Sequence, residues 1–208
     1  MLKAPKFWYQ SNFSILAILL LPLSLIWITG TYLKKKFAKP IRSKIPVIAI
    51  GSAIIGGSGK TPSVIYVCEI LEKIGYKPHV ISRGYGGSAN EVIKVSPEMS
   101  YSVVGDEAIM MSKYYPTWVS KNKYNAFAMA EKDGANILVL DDALQSYNIF
   151  KDLNIYVYDS IQSFGNKLIV PSGPLRESIS SVLNRSQIVF LVNTNNCPEI
   201  SKINFNKI

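Results

Sequence analysis

The chain has 208 residues and a formal net charge of +9, with 48% hydrophobic and 18% charged residues, a length that suits one folded domain with an appendage. The charge is concentrated: residues 1–44 hold eight Lys/Arg and no acid, whereas the remainder holds fifteen Lys/Arg against fourteen acids. A nucleic-acid binder would be expected to carry its basic patch on the folded domain, so no nucleic-acid partner is expected. Basic residues flanking an apolar segment point instead to anionic membrane lipids.

That segment is uncharged from Phe7 to Leu33 and densest at Ile15–Ile28. A cleaved signal peptide would need small residues at a cleavage site, and Thr29-Gly30-Thr31-Tyr32 is a poor version of one. A span needs about 20 apolar residues; reaching that length means including Ser, Thr and Gly, and Pro22 would kink the helix. A full span and a helix lying in or dipping into the membrane both remain open. In either case Lys34-Lys35-Lys36 predicts that the chain beyond it is cytoplasmic. Residues 1–44 are therefore read as a membrane-associating helix with basic flanks, and 45–208 as the folded domain.

After a basic connector, Lys39 to Pro46, comes VIAIGSAIIGGSGKT, Val47 to Thr61. An apolar strand, a glycine-rich turn and Lys-Thr at a helix start are what a polyphosphate requires. Glycines let N–H groups converge on phosphate oxygens, the helix N-terminus adds partial positive charge, Lys60 reaches the β and γ phosphates, and the Thr61 hydroxyl takes Mg²⁺. This stretch reads as a P-loop, with Ile54, Ile55, Gly56, Gly57, Ser58, Gly59, Lys60 and Thr61 as the nucleotide-binding residues. Ile54 departs from the strict pattern, which has Gly there. Val64, Val67, Cys68 and Leu71 recur at helical spacing, Pro62 sits harmlessly in the first turn, and Gly75 is placed to close the helix.

Pro78 to Ser82 is the next expected strand, running into Arg83-Gly84-Tyr85-Gly86-Gly87, a loop too glycine-rich for regular structure. It is either a mobile turn or a flexible loop setting an Arg and a Tyr near the phosphates. A short strand over Glu91–Val95 and a helix over Asp106–Tyr114 come next; on composition alone, Asp106 and Glu107 read as dipole-complementing residues of a helix start. Residues 125–132 look helical. Asn136 to Asp142 is a continuous apolar run ending in two aspartates, which suits a buried parallel strand with carboxylates at the ligand edge and one Asp able to hold Mg²⁺. Ile155–Asp159 and Ile188–Val192 are further strands. Strands alternating with helices behind a P-loop predict an α/β, P-loop NTPase-like fold with a mostly parallel, doubly wound sheet. Cys68 and Cys197 suggest neither a disulfide framework nor a metal site, and the sole histidine, His79, reads as structural.

Several blocks in this order resemble the tetraacyldisaccharide 4'-kinase (lipid A 4'-kinase) family: GSAIIGGSGKTP (Gly51–Pro62), SRGYGG (Ser82–Gly87), VGDE (Val104–Glu107), LDDALQ (Leu140–Gln145) and GNKLIVPSGPLRE (Gly165–Glu177). The resemblance covers essentially the whole chain and extends to the apolar N-terminal helix. It implies transfer of the γ-phosphate of ATP, with Mg²⁺, to the 4'-hydroxyl of a tetraacylated disaccharide 1-phosphate, a lipid substrate, at the cytoplasmic face of the bacterial inner membrane; it names no protein partner. In that reading Lys60 neutralises the phosphates and Thr61, Glu107 and Asp141 serve the metal. Asp106 is the base for the sugar hydroxyl, Asp141 and Asp142 complete the Walker B site, and Arg83, Gln145 and Arg176 lie on phosphates or substrate. The resemblance thus reverses the capping reading of Asp106.

The sequence departs from the family at Ser52 and Ile54, where Asn and Thr are usual, and at Ser146, which stands for a histidine and cannot take over its proton or charge. The family also continues into a second lobe that supplies a histidine partner to the catalytic Asp. The resemblance therefore implies a C-terminally truncated kinase domain, and leaves an ATP-binding but catalytically impaired remnant as the alternative.

Overall fold

The computed structural model describes residues 4–10 and 14–193. They group into two compact units, one made of residues 39–51 and 60–155, the other of the described residues within 1–38, 52–59 and 156–208.

The first unit is a parallel sheet with one antiparallel edge. Its strands are β1 (Val47–Gly51), β2 (Pro78–Ser82), β3 (Ile93–Lys94), β4 (Thr117–Val119) and β5 (Ile137–Leu140), in spatial order β3-β4-β2-β5-β1. β5 lies between β1 and β2 and pairs parallel with both, so that Leu140 is opposite Ala49 on one side and Ile81 on the other. β2 pairs parallel with β4, and only β3 runs antiparallel. This central position explains the continuous apolar run at Ile137–Leu140: every residue of β5 is buried, with no face left for alternation. β6 (Leu153–Asp159) starts in this unit, where the Asp152 N–H donates to Val47 O (2.9 Å) and the Asp152 carboxylate accepts from the Val47 N–H (2.8 Å).

Helix α3 (Lys60–Lys73) comes after β1 in sequence and buries Val64, Val67, Cys68 and Leu71, the residues whose spacing marks it. It ends as expected, with Gly75 at φ +90° and the Tyr76 N–H returning to Leu71 O at 3.0 Å. The expected Asp106–Tyr114 helix is α5 (Asp106–Ser112), preceded by a single turn, α4 (Tyr101–Val104). The helical stretch at 125–132 divides into a 3₁₀ turn, Lys123–Ala126, and α6 (Phe127–Lys132). The strand expected over Glu91–Val95 is confined to β3. β4 has no counterpart in the sequence reading, since three residues behind a proline are too few to show a period.

His79 is buried on β2 and its Nδ1 accepts a hydrogen bond from Trp118 Nε1 at 3.2 Å, with Asp133 Oδ2 at 3.8 Å and Lys94 paired to that carboxylate at 2.6 Å. Burial lowers the imidazole pKa; Asp133 opposes the shift and Lys94 adds to it. The unfolded chain, near the ordinary value of about 6.5, therefore takes the proton first. Stability is full above that value and is lost as pH falls through it toward the lower folded value. A His79→Gln variant is expected to show a smaller fall in melting temperature between about pH 7.5 and 5.5 than the parent; parallel melting curves would remove His79 from the account.

In the second unit the apolar N-terminal segment forms α1 (Ile15–Leu19) and α2 (Leu21–Lys36), broken at Leu20 just ahead of Pro22. No helix among the described residues is long and apolar enough to cross a membrane. The unit also contains the rest of β6, beside β7 (Ile188–Val192), and a single-turn helix, α7 (Ile179–Leu183), which the sequence reading did not anticipate. Ser178 caps α7 by accepting from the Ser181 N–H at 3.2 Å.

Candidate active site

In the parallel sheet, the C-terminal ends of β2, β4 and β5 lie on one edge, and the segments leaving them carry the charged residues of interest. Asp141, the first residue past β5, is anchored by its N–H to Ile81 O (3.0 Å), while its Oδ2 accepts from Ser82 Oγ at the end of β2 (2.9 Å). Its Oδ1 is buried and has no hydrogen-bond partner. Burial raises the Asp141 pKa; Lys123 opposes this most strongly, Asp142 adds to it, and the Ser82 hydrogen bond and Lys60 also lower it. An orphaned carboxylate oxygen at a sheet's ligand edge is costly in the free protein and is of the hard-oxygen type that a cation such as Mg²⁺ could take as a ligand.

Glu107 stands in the first turn of α5, half-buried. Burial raises its pKa, and so does Asp141; Lys60 lowers it, and Asp106 and Asp142 raise it further. Lys60, Asp106, Asp141 and Asp142 are thus all within electrostatic reach of Glu107. Asp106 itself is exposed and its Oδ1 accepts from the Glu107 N–H at 3.0 Å. Asp142 has φ +45°, which turns the chain sharply after Asp141. Lys60 and Thr61 open α3 and are buried to 7% and 8% relative exposure. Among the described residues no group of three or more His, Cys, Asp or Glu side chains is gathered to hold a metal ion. One or two carboxylates with a hydroxyl, leaving positions for phosphate and water, is the manner in which Mg²⁺ rather than Zn²⁺ is held.

The glycine-rich loop at 83–87 is docked against the α4–α5 junction. The Ser88 N–H donates to Ser102 O (3.0 Å) and the Ala89 N–H to Val103 O (2.9 Å). A Cβ on Gly105 would come within 2.5 Å of Tyr85 O, and Gly105 has φ +85°, so this close approach admits only glycine. The VGDE and SRGYGG blocks are therefore one piece of structure, which places Arg83, exposed, beside the turn that presents Asp106. Gln145 lies in the same unit, half-buried, three residues beyond Asp142.

Ile54, Ile55, Gly56, Gly57, Ser58 and Gly59, the expected nucleotide-binding residues, belong to the second unit, where the Gly165–Glu177 block straps them. The Arg176 N–H donates to Ala53 O (2.7 Å), the Ile55 N–H donates to Pro174 O (2.9 Å), and Ile54 pairs with Leu175 in an antiparallel bridge. Gln162 donates from its amide to Gly57 O. A Cβ at Gly57 would meet nothing within 4 Å, so the outer face of the loop is open. The other side of the strap is tied to the N-terminus: Trp27 Nε1 donates to Arg176 O (2.9 Å), Ser24 Oγ to Ile169 O (2.8 Å), and Trp8 Nε1 to Pro171 O (3.0 Å). The Arg176 backbone thus links the glycine-rich turn, through Ala53, to the apolar helix, through Trp27. The sequence reading did not find Ser24 or Trp27; a serine within an otherwise apolar stretch was the one available sign.

The family model for tetraacyldisaccharide-1-P 4'-kinase matches residues 16–206. The tetraacyldisaccharide 4'-kinase of Rhodospirillum centenum is 36% identical over 195 residues, which cover 92% of this chain and 58% of that protein. That of Psychromonas ingrahamii is 39% identical over 196 residues, covering 90% and 60%. A crystal structure described as the "apo" form of LpxK from Aquifex aeolicus in complex with ATP superposes with a TM-score of 0.76 at 26% identity, over 86% of this chain and 59% of that one. The chain thus spans 58% and 60% of the length of these two curated relatives.

Proposed function

We propose, for a chain that belongs to the tetraacyldisaccharide-1-P 4'-kinase family, the Mg²⁺-dependent transfer of the γ-phosphoryl group of ATP to the 4'-hydroxyl of a tetraacyldisaccharide 1-phosphate, a step of lipid A biosynthesis. The observation that carries this reading is that Lys60, Asp106, Asp141 and Asp142 all act electrostatically on Glu107, with the buried Asp141 Oδ1 unpartnered. Phosphoryl transfer asks a protein for positioning and charge neutralisation, and these residues supply both.

Bound ATP with Mg²⁺ supplies the electrophilic phosphorus. The N–H groups of Ile54 and Ile55 are already engaged, by Ser52 Oγ at 3.3 Å and Pro174 O at 2.9 Å, so the turn Gly56–Gly59 would receive the phosphate oxygens, and the Lys60 ammonium would offset the charge on the β and γ phosphates. Thr61, Glu107 and Asp141 would hold the metal, Asp141 through its unpartnered Oδ1. Asp106, exposed at its helix start, accepts the proton of the 4'-hydroxyl as that oxygen bonds to phosphorus and the bond to the bridging β–γ oxygen breaks, releasing ADP. Arg83, exposed beside the Asp106 turn, and Gln145 would orient phosphate groups of donor or acceptor. The test is incubation with γ-labelled ATP and the lipid acceptor, followed by extraction into organic solvent. Label in the lipid phase, dependent on Mg²⁺, is the expected result; label retained only as ATP or inorganic phosphate would contradict the proposal.

The acceptor's acyl chains require the chemistry to take place at a membrane surface, here the cytoplasmic face of the inner membrane with its anionic lipids. The exposure of Ile15 (78%), Leu19 (70%), Leu25 (64%) and Ile26 (69%) on α1 and α2 supports this reading, together with Lys34, Lys35 and Lys36 at the end of α2. Burying such a side chain contributes about 1.5–3 kcal/mol. The double variant Leu25→Ser with Ile26→Ser is therefore expected to lower binding to phosphatidylglycerol-containing vesicles by more than about tenfold, leaving the Ser24 and Trp27 ties in place. Unchanged flotation with vesicles would remove this helix as the membrane contact.

A further inference from the structure

Lys123 is 4% exposed, in the 3₁₀ turn beyond β4, and its ammonium donates a hydrogen bond to the backbone carbonyl of Asp141. A buried ammonium is expensive unless it is paired and hydrogen-bonded, and a chain that needed only to fill this volume would use an apolar side chain there. A second lysine, Lys151, donates to Ala143 O and Leu144 O at 3.2 Å each. Lysine ammoniums thus hold the carbonyls of Asp141, Ala143 and Leu144, on both sides of Asp142, the residue with φ +45°. Neither lysine is needed for the phosphates or the hydroxyl in the reaction above.

We propose that Lys123 is a positioning residue for the metal-binding aspartates: by holding the Asp141 carbonyl it fixes the turn that leaves Asp141 Oδ1 without a protein partner and Asp142 beside it, and so sets the affinity for Mg²⁺ in the Mg²⁺–ATP complex. The proposal rests on the kinase reading. Two roles for an ammonium at this place predict opposite signs. If Lys123 only added positive charge, its removal would leave the carboxylates more negative and Mg²⁺ would bind more tightly. If it positions the turn, its removal loosens the ligands and Mg²⁺ binds more weakly, by the ten- to hundredfold that groups hydrogen-bonded to metal ligands typically contribute.

The experiment is calorimetric titration of the full chain with ATP, with and without Mg²⁺, for the parent, Lys123→Met and Lys123→Arg. In the expected result, Lys123→Met raises the Mg²⁺ concentration at half-maximal ATP binding by about tenfold or more, leaves metal-free ATP binding within twofold of the parent, and Lys123→Arg, which keeps a donor and the charge, restores most of the Mg²⁺ dependence. If Lys123→Met shows no cooperative melt, the same comparison is made with Lys123→Gln, which keeps an N–H donor at shorter reach and is expected to raise the Mg²⁺ requirement in the same direction by less than Lys123→Met would. Unchanged or tighter Mg²⁺ dependence in the folded variant, or equal losses with and without Mg²⁺, overturns the proposal. A parent chain that binds no ATP would instead refute the kinase reading on which it rests.

Discussion

Lys60→Ala is expected to lower phosphoryl transfer by about 10²- to 10³-fold, the range found on removing one preorganised charge-stabilising donor from a site, and to weaken ATP binding with it. The lysine is 7% exposed at the start of α3 and lowers the pKa of both Glu107 and Asp141. Its removal therefore acts twice, depriving the phosphates of a positive charge and leaving the nearby carboxylates less offset. Because the ammonium is buried among negative groups, the loss should persist at salt concentrations that screen surface charges. Calorimetry and a turnover assay on one preparation check this. Affinity and turnover both within twofold of the parent would show that the glycine-rich stretch does not receive phosphate.

Asp106→Asn is expected to separate the two readouts. Asn keeps the size and an oxygen acceptor for the Glu107 N–H, so the start of α5 should persist. It cannot take a proton, and general-base assistance contributes typically 10²–10⁴-fold. ATP binding should stay within about twofold, with turnover falling by that larger factor. A variant that loses both equally would mean that Asp106 serves the nucleotide, and a variant that loses neither would return Asp106 to the role of a helix-start residue complementing the dipole.

The parts of this site that the sequence makes visible are those whose cause is local. The continuous apolar run at Ile137–Leu140 is a property of a strand paired on both sides, and the aspartates that end it fall at the ligand edge because parallel strands share that edge. The burial of Val64, Val67, Cys68 and Leu71 repeats the helical period of α3, and Gly75 ends it by a left-handed turn that glycine adopts without strain. Length limits the rest: β4 and α7 hold three and five residues, too few for either period.

Other features were hidden because their cause is long-range. The two readings of Arg83–Gly87, mobile turn or loop near the phosphates, differ in whether anything holds the loop. Its docking on residues 102–105 depends on carbonyls 14 residues further along the chain, Ser102 for Ser88 and Val103 for Ala89. Lys123 is a lysine in a polar stretch until β5 places Asp141 over it, 18 residues away in sequence. Ser24 and Trp27 acquire meaning only from carbonyls 145 and 149 residues further on. The resemblance of ordered motifs singles out Asp106, Asp141 and Asp142 as candidates, but not the groups that hold them in place.

The central claim is a regiospecific one, and the position of the new phosphate on the lipid tests it most directly. The chain is incubated with Mg²⁺, ATP and tetraacyldisaccharide 1-phosphate in detergent micelles, and the extracted lipid is analysed by ³¹P NMR and fragmentation mass spectrometry. The account predicts a 1,4'-bisphosphate that forms with the parent and is lost with Asp106→Asn. Phosphate at another hydroxyl, or no transfer by a protein that binds Mg²⁺–ATP to saturation beside the acceptor, would contradict it.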